Sequence, residues 1–142
     1  MALTAKRDYA TVGATKQGSI KAAASDTYYK GAMLIANADG YAAAPTNAAN
    51  LRPIGVYTGR AEDGVVDNSY EVGSGSHPRL VVESGRIWIP HTGASQSDVG
   101  ELFYLADDNT LTQTAGSKNW VLPAVDYRSG YLLIDFDAAE QA

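Results

Sequence analysis

The two histidines come first, because imidazole titrates near neutrality and is the commonest protein metal ligand. His77 precedes Pro78 and His91 follows Pro90, and neither stands at a ligand spacing from a second His or from a carboxylate pair. His91 ends a predicted strand close to Asp98, so acid–base chemistry there would need both to converge with a further carboxylate in one pocket. The acidic turns Asn37–Gly40 and Asp107–Asn109 superficially suggest calcium. Each lacks the spaced oxygen donors that end in a bidentate Glu, and turn formation explains them.

Other chemistries fail on context. Cysteine is absent, which removes disulfides, thiolate metal sites and thiol nucleophiles together. No Gly-x-Ser-x-Gly turn joins a strand to a helix, and the Gly73–Gly75 loop precedes no helix whose N-terminus could cradle phosphate. A glycosidase carboxylate pair is a property of the fold rather than of spacing. Asp135 and Asp137 flank Phe136 and are expected to face solvent. No catalytic, cofactor-binding or metal-binding residue is therefore assigned, no cofactor is expected, and the chain reads as a non-enzyme.

The aromatics carry more information. Nine tyrosines and two tryptophans supply apolar area with a polar edge, which suits both core boundaries and interfaces. Trp88 lies between Ile87 and Ile89 and so faces opposite to them on a strand. Core burial is the preferred reading for it, an interface anchor the other.

The elements around these residues read as short strands broken by turns. Tyr28–Ala36, the turn Asn37–Gly40 and Tyr41–Ala43 form one hairpin, and Ile54–Tyr57 forms a third strand whose Gly55 marks a bulge or a close backbone approach. Loops are expected at Glu62–Gly64 and Gly73–Pro78, with a short Val65 to Val72 segment between them. Leu80–Glu83 and Arg86–Ile89 across Ser84-Gly85 give the strongest hairpin signal. Ser97–Val99 suggests one helical turn capped by Ser95 or Ser97 and stopped by Gly100. Leu102–Leu105 with Leu111–Gln113, and Trp120–Val125 with Tyr131–Phe136, give two more hairpins. Strands at this spacing indicate an all-β fold, a single small β-sandwich or barrel-like domain.

Residues 1–27 stand apart. Leu, Ile, Val and Phe supply only 28 of the 142 residues, and just Leu3, Val12 and Ile20 fall in this stretch, so the core is expected after Thr27. The segment is read as an extended N-terminal arm, flexible alone and removable without unfolding a 28–142 body. Its charges set it apart too: up to Ala24, Lys6, Arg7, Lys16 and Lys21 oppose Asp8 alone, in a chain of net charge −5. Lys6, Arg7, Tyr9, Lys16 and Lys21 are the candidate partner-binding residues, aimed at an acidic partner. An acidic body argues against gripping nucleic acid. No apolar run approaches a membrane span, and Met1–Arg7 lacks a signal-peptide core, so a cytoplasmically made protein that does not enter membranes is expected.

The order of several motifs resembles the small capsid decoration (cement) proteins of tailed phages. These motifs are Tyr29–Leu34 leading to Ala38–Tyr41, Pro53–Val56, Gly85–Pro90, Ser97–Tyr104, the turn Asp107–Leu111 and a closing hairpin. The resemblance spans roughly Tyr28 to Phe136, and the chain departs from it at Asn50–Pro53 and in the Gly- and Ser-rich loop Gly73–Ser76. It implies a β protein on the outer surface of an assembled virion, bound to the major capsid protein and bridging its subunits, commonly as a homotrimer. It implies no catalytic residues. A carbohydrate- or receptor-binding β module, such as a head fibre base or adhesin, is the alternative.

Overall fold

The computed structural model describes residues 2–62 and 69–142, and over these the chain is all-β, its main sheet curled into a half-barrel. In chain order the strands are β1 (Thr11–Lys21), β2 (Asp26–Tyr29), β3 (Met33–Ala36), β4 (Ala42–Ala43), β5 (Arg52–Ala61) and β6 (Ser69–Val72), followed by β7 (Arg79–Pro90), β8 (Leu102–Leu105), β9 (Leu111–Thr112), β10 (Trp120–Arg128), β11 (Tyr131–Asp135) and β12 (Glu140–Gln141). The main sheet runs β4-β3-β5-β7-β11-β10-β8-β9, with β1 added on β7 and β12 on β10, while β2 and β6 pair separately.

Local chemistry places most of these elements as predicted. Asn37 Oδ1 accepts from the amides of Asp39 and Tyr41, both at 3.0 Å, and turns β3 into β4. Asp107 Oδ1 accepts from Asn109 N at 2.9 Å between β8 and β9. Gln96–Asp98 is one 3-10 turn, with Ser95 N donating to Asp98 Oδ2 at 2.9 Å. Gly55 has a φ of 136°, and a side chain there would overlap the Glu83 carbonyl oxygen, so the expected close approach is β5 against β7. Tyr28 leaves the predicted first hairpin. β2 pairs with β6, and the Tyr28 hydroxyl donates to Ala23 O at 2.9 Å from the core. The loop expected at Glu62–Gly64 and the start of the Val65 segment fall mostly outside the described residues.

The strongest predicted hairpin is not one. β7 passes straight through Ser84-Gly85, and both halves pair with β1 instead of with each other, from Thr11↔Ile87 to Lys21↔Arg79. Gly85 (φ 111°) serves a crossing rather than a turn: β1 bulges between Val12 and Lys16, and a Cβ on Gly85 would crowd Ala14 and Thr15. On its other edge β7 meets β5 through Leu80–Glu83 and β11 through Arg86–Pro90. This one strand therefore joins two cores. Met33, Ile35, Val56, Ile87, Ile89, Phe103 and Ile134 help form the first, and Tyr28, Leu34, Tyr57, Leu80 and Val82 the second, on the opposite face. Tyr28 and Tyr57 are almost wholly buried, each worth about 1.5–3 kcal/mol on an aliphatic scale. They make up for the thin aliphatic content.

The segment read as a separate arm is extended but laid along the body. Ala22 is fully buried within the second core and Ile20 packs against it, so the core begins before Thr27. Composition hid this because a strand at a sheet edge needs little apolar surface once its backbone is paired.

Candidate partner-binding surface

Ahead of β1, the N-terminal residues are fixed by polar contacts. Leu3 N donates to Asp108 Oδ1 at 2.8 Å, and Arg7 N to Lys30 O at 2.8 Å. The Arg7 guanidinium donates to Asn109 Oδ1 and, at 2.8 Å, to Gly31 O. Burial pushes its pKa below the usual arginine value, opposed by Asp108. Gly31 has a φ of 85°, and a Cβ on it would collide with the Arg7 carbonyl, so only glycine admits the segment here. Asp108 is 7% exposed. Its own carbonyl accepts from Met33 N at 2.8 Å, and burial raises its carboxyl pKa. The turn Asp107–Asn109 thus does more than turn the chain; it also holds the N-terminal segment.

Tyr9 and Thr15 close on Glu83, with Tyr9 Oη 2.7 Å from Oε1 and Thr15 Oγ1 2.5 Å from Oε2. Burial and then this bond raise the Tyr9 pKa. Arg7 and Tyr9, two of the five candidate residues, are therefore engaged within the chain. Lys6, Lys16 and Lys21 are exposed, and Lys16 and Lys21 lie on β1 with side chains that make no hydrogen bond or ion pair among the described residues. Asp8 pairs with Lys30 at 3.1 Å, which lowers its pKa.

Two cations that the sequence reading missed join this surface. Arg60 Nη2 donates to Gln17 Oε1 at 2.7 Å, and Arg79 Nη1 to Ser19 O at 3.4 Å. No local pattern marks them, because the sheet alone sets β7 beside β1 and β5 beyond it. Every residue of β1 is exposed or half-buried, Val12 being 41% exposed. Among the described residues its backbone ladder is with β7, and immediately beyond its end Ala22 bridges to Ala42 of β4.

Trp88 does face opposite to Ile87 and Ile89, yet only 7% of it is exposed. The Arg128 guanidinium lies 4.8 Å above its ring, and its amide donates to Ala10 O at 2.9 Å. With Tyr9, Arg128 and the 43%-exposed Tyr131 it lines an open cleft of about 420 Å³.

The histidines have packing roles. His77 stacks on Tyr41 with ring centroids 4.0 Å apart, its Nδ1 2.9 Å from Ala22 O, and His91 meets the Phe103 ring at 5.3 Å. Asp98 caps its 3-10 turn, and no hydrogen bond joins it to His91. Asp135 accepts from Asp137 N and lies 3.6 Å from Arg86. Among the described residues no cluster of three or more His, Asp or Glu could hold a metal ion. Comparison with protein-family models, with curated proteins and with solved structures finds no match for the chain.

Proposed function

We propose that this is a non-catalytic structural protein of a tailed-phage virion that binds the outer surface of the assembled head and stabilises it by bridging capsid subunits. The observation that carries the reading is β1, an exposed strand held to the body along one edge and bearing unpaired lysines, on a chain of net charge −5. Such a ledge offers a long, directional contact of a kind that a catalytic pocket does not need. The motif order between Tyr28 and Phe136 supports the same reading.

A protein that binds only the assembled lattice stabilises it by mass action. A body that touches two capsid subunits at once makes the second contact intramolecular, which raises avidity by about 10²–10⁴. Trimeric presentation would multiply the effect. The test is sedimentation with assembled, DNA-free shells of the phage that carries this coding sequence. The protein should co-sediment and raise the rupture temperature of the shells, and Lys6→Glu with Lys16→Glu should weaken binding at least tenfold at low salt and less at high salt. Absence of co-sedimentation at high protein concentration refutes the reading.

The Tyr9–Trp88–Arg128–Tyr131 cleft favours a second reading, a carbohydrate-binding module, since the exposed Tyr131 ring beside a cation suits a sugar ring. Glycan-array binding lost in Tyr131→Ala would support it.

A further inference from the structure

We infer that the outer edge of β1 is an acceptor for an extended segment of a partner protein, in which acidic and apolar side chains alternate, added as one more strand to the sheet. Between Lys16 and Lys21 the β1 ladder on β7 is regular, with the bulge confined to Val12–Lys16. A strand with one paired edge directs alternate N–H and C=O groups outward, here those of Gln17 and Ser19 before β4 meets the chain at the Ala22↔Ala42 bridge, and of these the Ser19 carbonyl also accepts from Arg79 Nη1 at 3.4 Å. These are the groups by which a sheet recruits another chain.

The two faces of this run differ, which specifies the occupant. Paired residues share a face. On one face Gln17, Ser19 and Lys21 stand beside Glu83, Val81 and Arg79. Arg60 reaches across to Gln17 and Arg79 to Ser19, so Lys21, Arg60 and Arg79 gather there. Glu83, the carboxylate on that face, already accepts from Tyr9 and Thr15; Glu62 lies exposed at the end of β5. A strand added on this edge would therefore set acidic side chains against three cations. On the other face Lys16, Gly18 and Ile20 stand beside Ser84, Val82 and Leu80. Nothing lies within 4 Å of where a Gly18 Cβ would be, and with Ile20, Ile54 and Val82 it forms a hollow of about 270 Å³. An apolar side chain of the added strand fits there.

The same charges argue against a second copy of this chain. Every charged side chain on β1 is cationic, so edge-to-edge pairing would oppose Lys16, Lys21 and their flanking arginines to their own copies. The inference deepens the decoration reading by naming the chemistry of the contact, and it rests on that reading only for the source of the segment.

The test uses a fluorescein-labelled, end-blocked heptapeptide of alternating Glu and Val, its Lys/Val counterpart, and a Glu/Val version with a central Pro, titrated with the full chain by anisotropy. The Glu/Val peptide should bind at least tenfold tighter than either control. Binding should weaken at least tenfold in Arg60→Glu/Arg79→Glu and in Gly18→Leu, each with an unchanged urea midpoint. Equal affinity for the Glu and Lys peptides, or no binding below millimolar concentration, overturns the assignment. So does a dimer in light scattering that the Arg60→Glu/Arg79→Glu variant abolishes, which would assign the edge to a second copy. Peptide binding without shell binding leaves the edge assignment standing and removes the decoration reading, whereas shell binding unaffected by these variants removes the edge assignment alone.

Discussion

Asp108 shows how one buried carboxyl ties the start of the chain to its middle. Its Oδ1 accepts from Leu3 N while its backbone carbonyl accepts from Met33 N, and burial raises its pKa against the pull of that first hydrogen bond and of Arg7. A carboxyl whose folded pKa is raised holds its proton more tightly in the folded than in the unfolded chain. Its contribution therefore favours folding at low pH and fades as the pH climbs through the range above the ordinary carboxylate value of about 3.9. Asn in its place keeps an acceptor for Leu3 N without the charge. The stability of Asp108→Asn relative to the unmodified chain, from urea midpoints, should thus rise between about pH 4 and pH 7, and a flat difference would show that the carboxyl is not held in this way. At this scale the sequence was legible where chemistry was local, as in the Asn37 and Asp107 turns. It offered Arg7 only as a candidate partner contact and did not show that it is bound within the chain, because the groups that bury and bond it, Gly31 and Asn109, are distant in the chain.

At the scale of elements, hairpins whose turns close on their own residues were readable, and strands defined by distant partners were not. β3–β4, β8–β9 and β10–β11 lie where turn residues and alternation put them. Ser84-Gly85 carried equally good turn chemistry, but β7 runs through it because β1 pairs with both halves. β1 itself has no apolar period to reveal it. Its amide exchange should show what composition could not. From Lys16 to Lys21 alternate amides should be protected by β7 and the others should exchange at loop-like rates. Uniformly fast exchange along this run would mean that the segment is not a strand in solution.

For the molecule as a whole, the fold class was legible and the boundary at residue 27 falls inside a continuous structure. Removing residues 1–21 would strip one β7 edge from Arg79 to Ile87, break the Tyr9–Glu83 and Arg7–Gly31 bonds and uncover Ala22. The loss should be on the order of 3 kcal/mol or more, seen as a fall in the urea midpoint. An unchanged midpoint would restore the picture of a dispensable arm.

The pairing of β1 with β7 also has a consequence for biosynthesis. β1 is made before β7, and Ser19 and Arg79, which meet at one end of the ladder, are 60 residues apart in the chain. At roughly 5–20 residues per second, β1 waits about 3–12 s before its partner strand exists. An apolar strand left unpaired for that long would be a hazard in a crowded cell. β1 carries two lysines, two glycines and only Val12 and Ile20 as larger aliphatics. The same poverty that hides it as a strand in the sequence makes it safe to synthesise ahead of its partner.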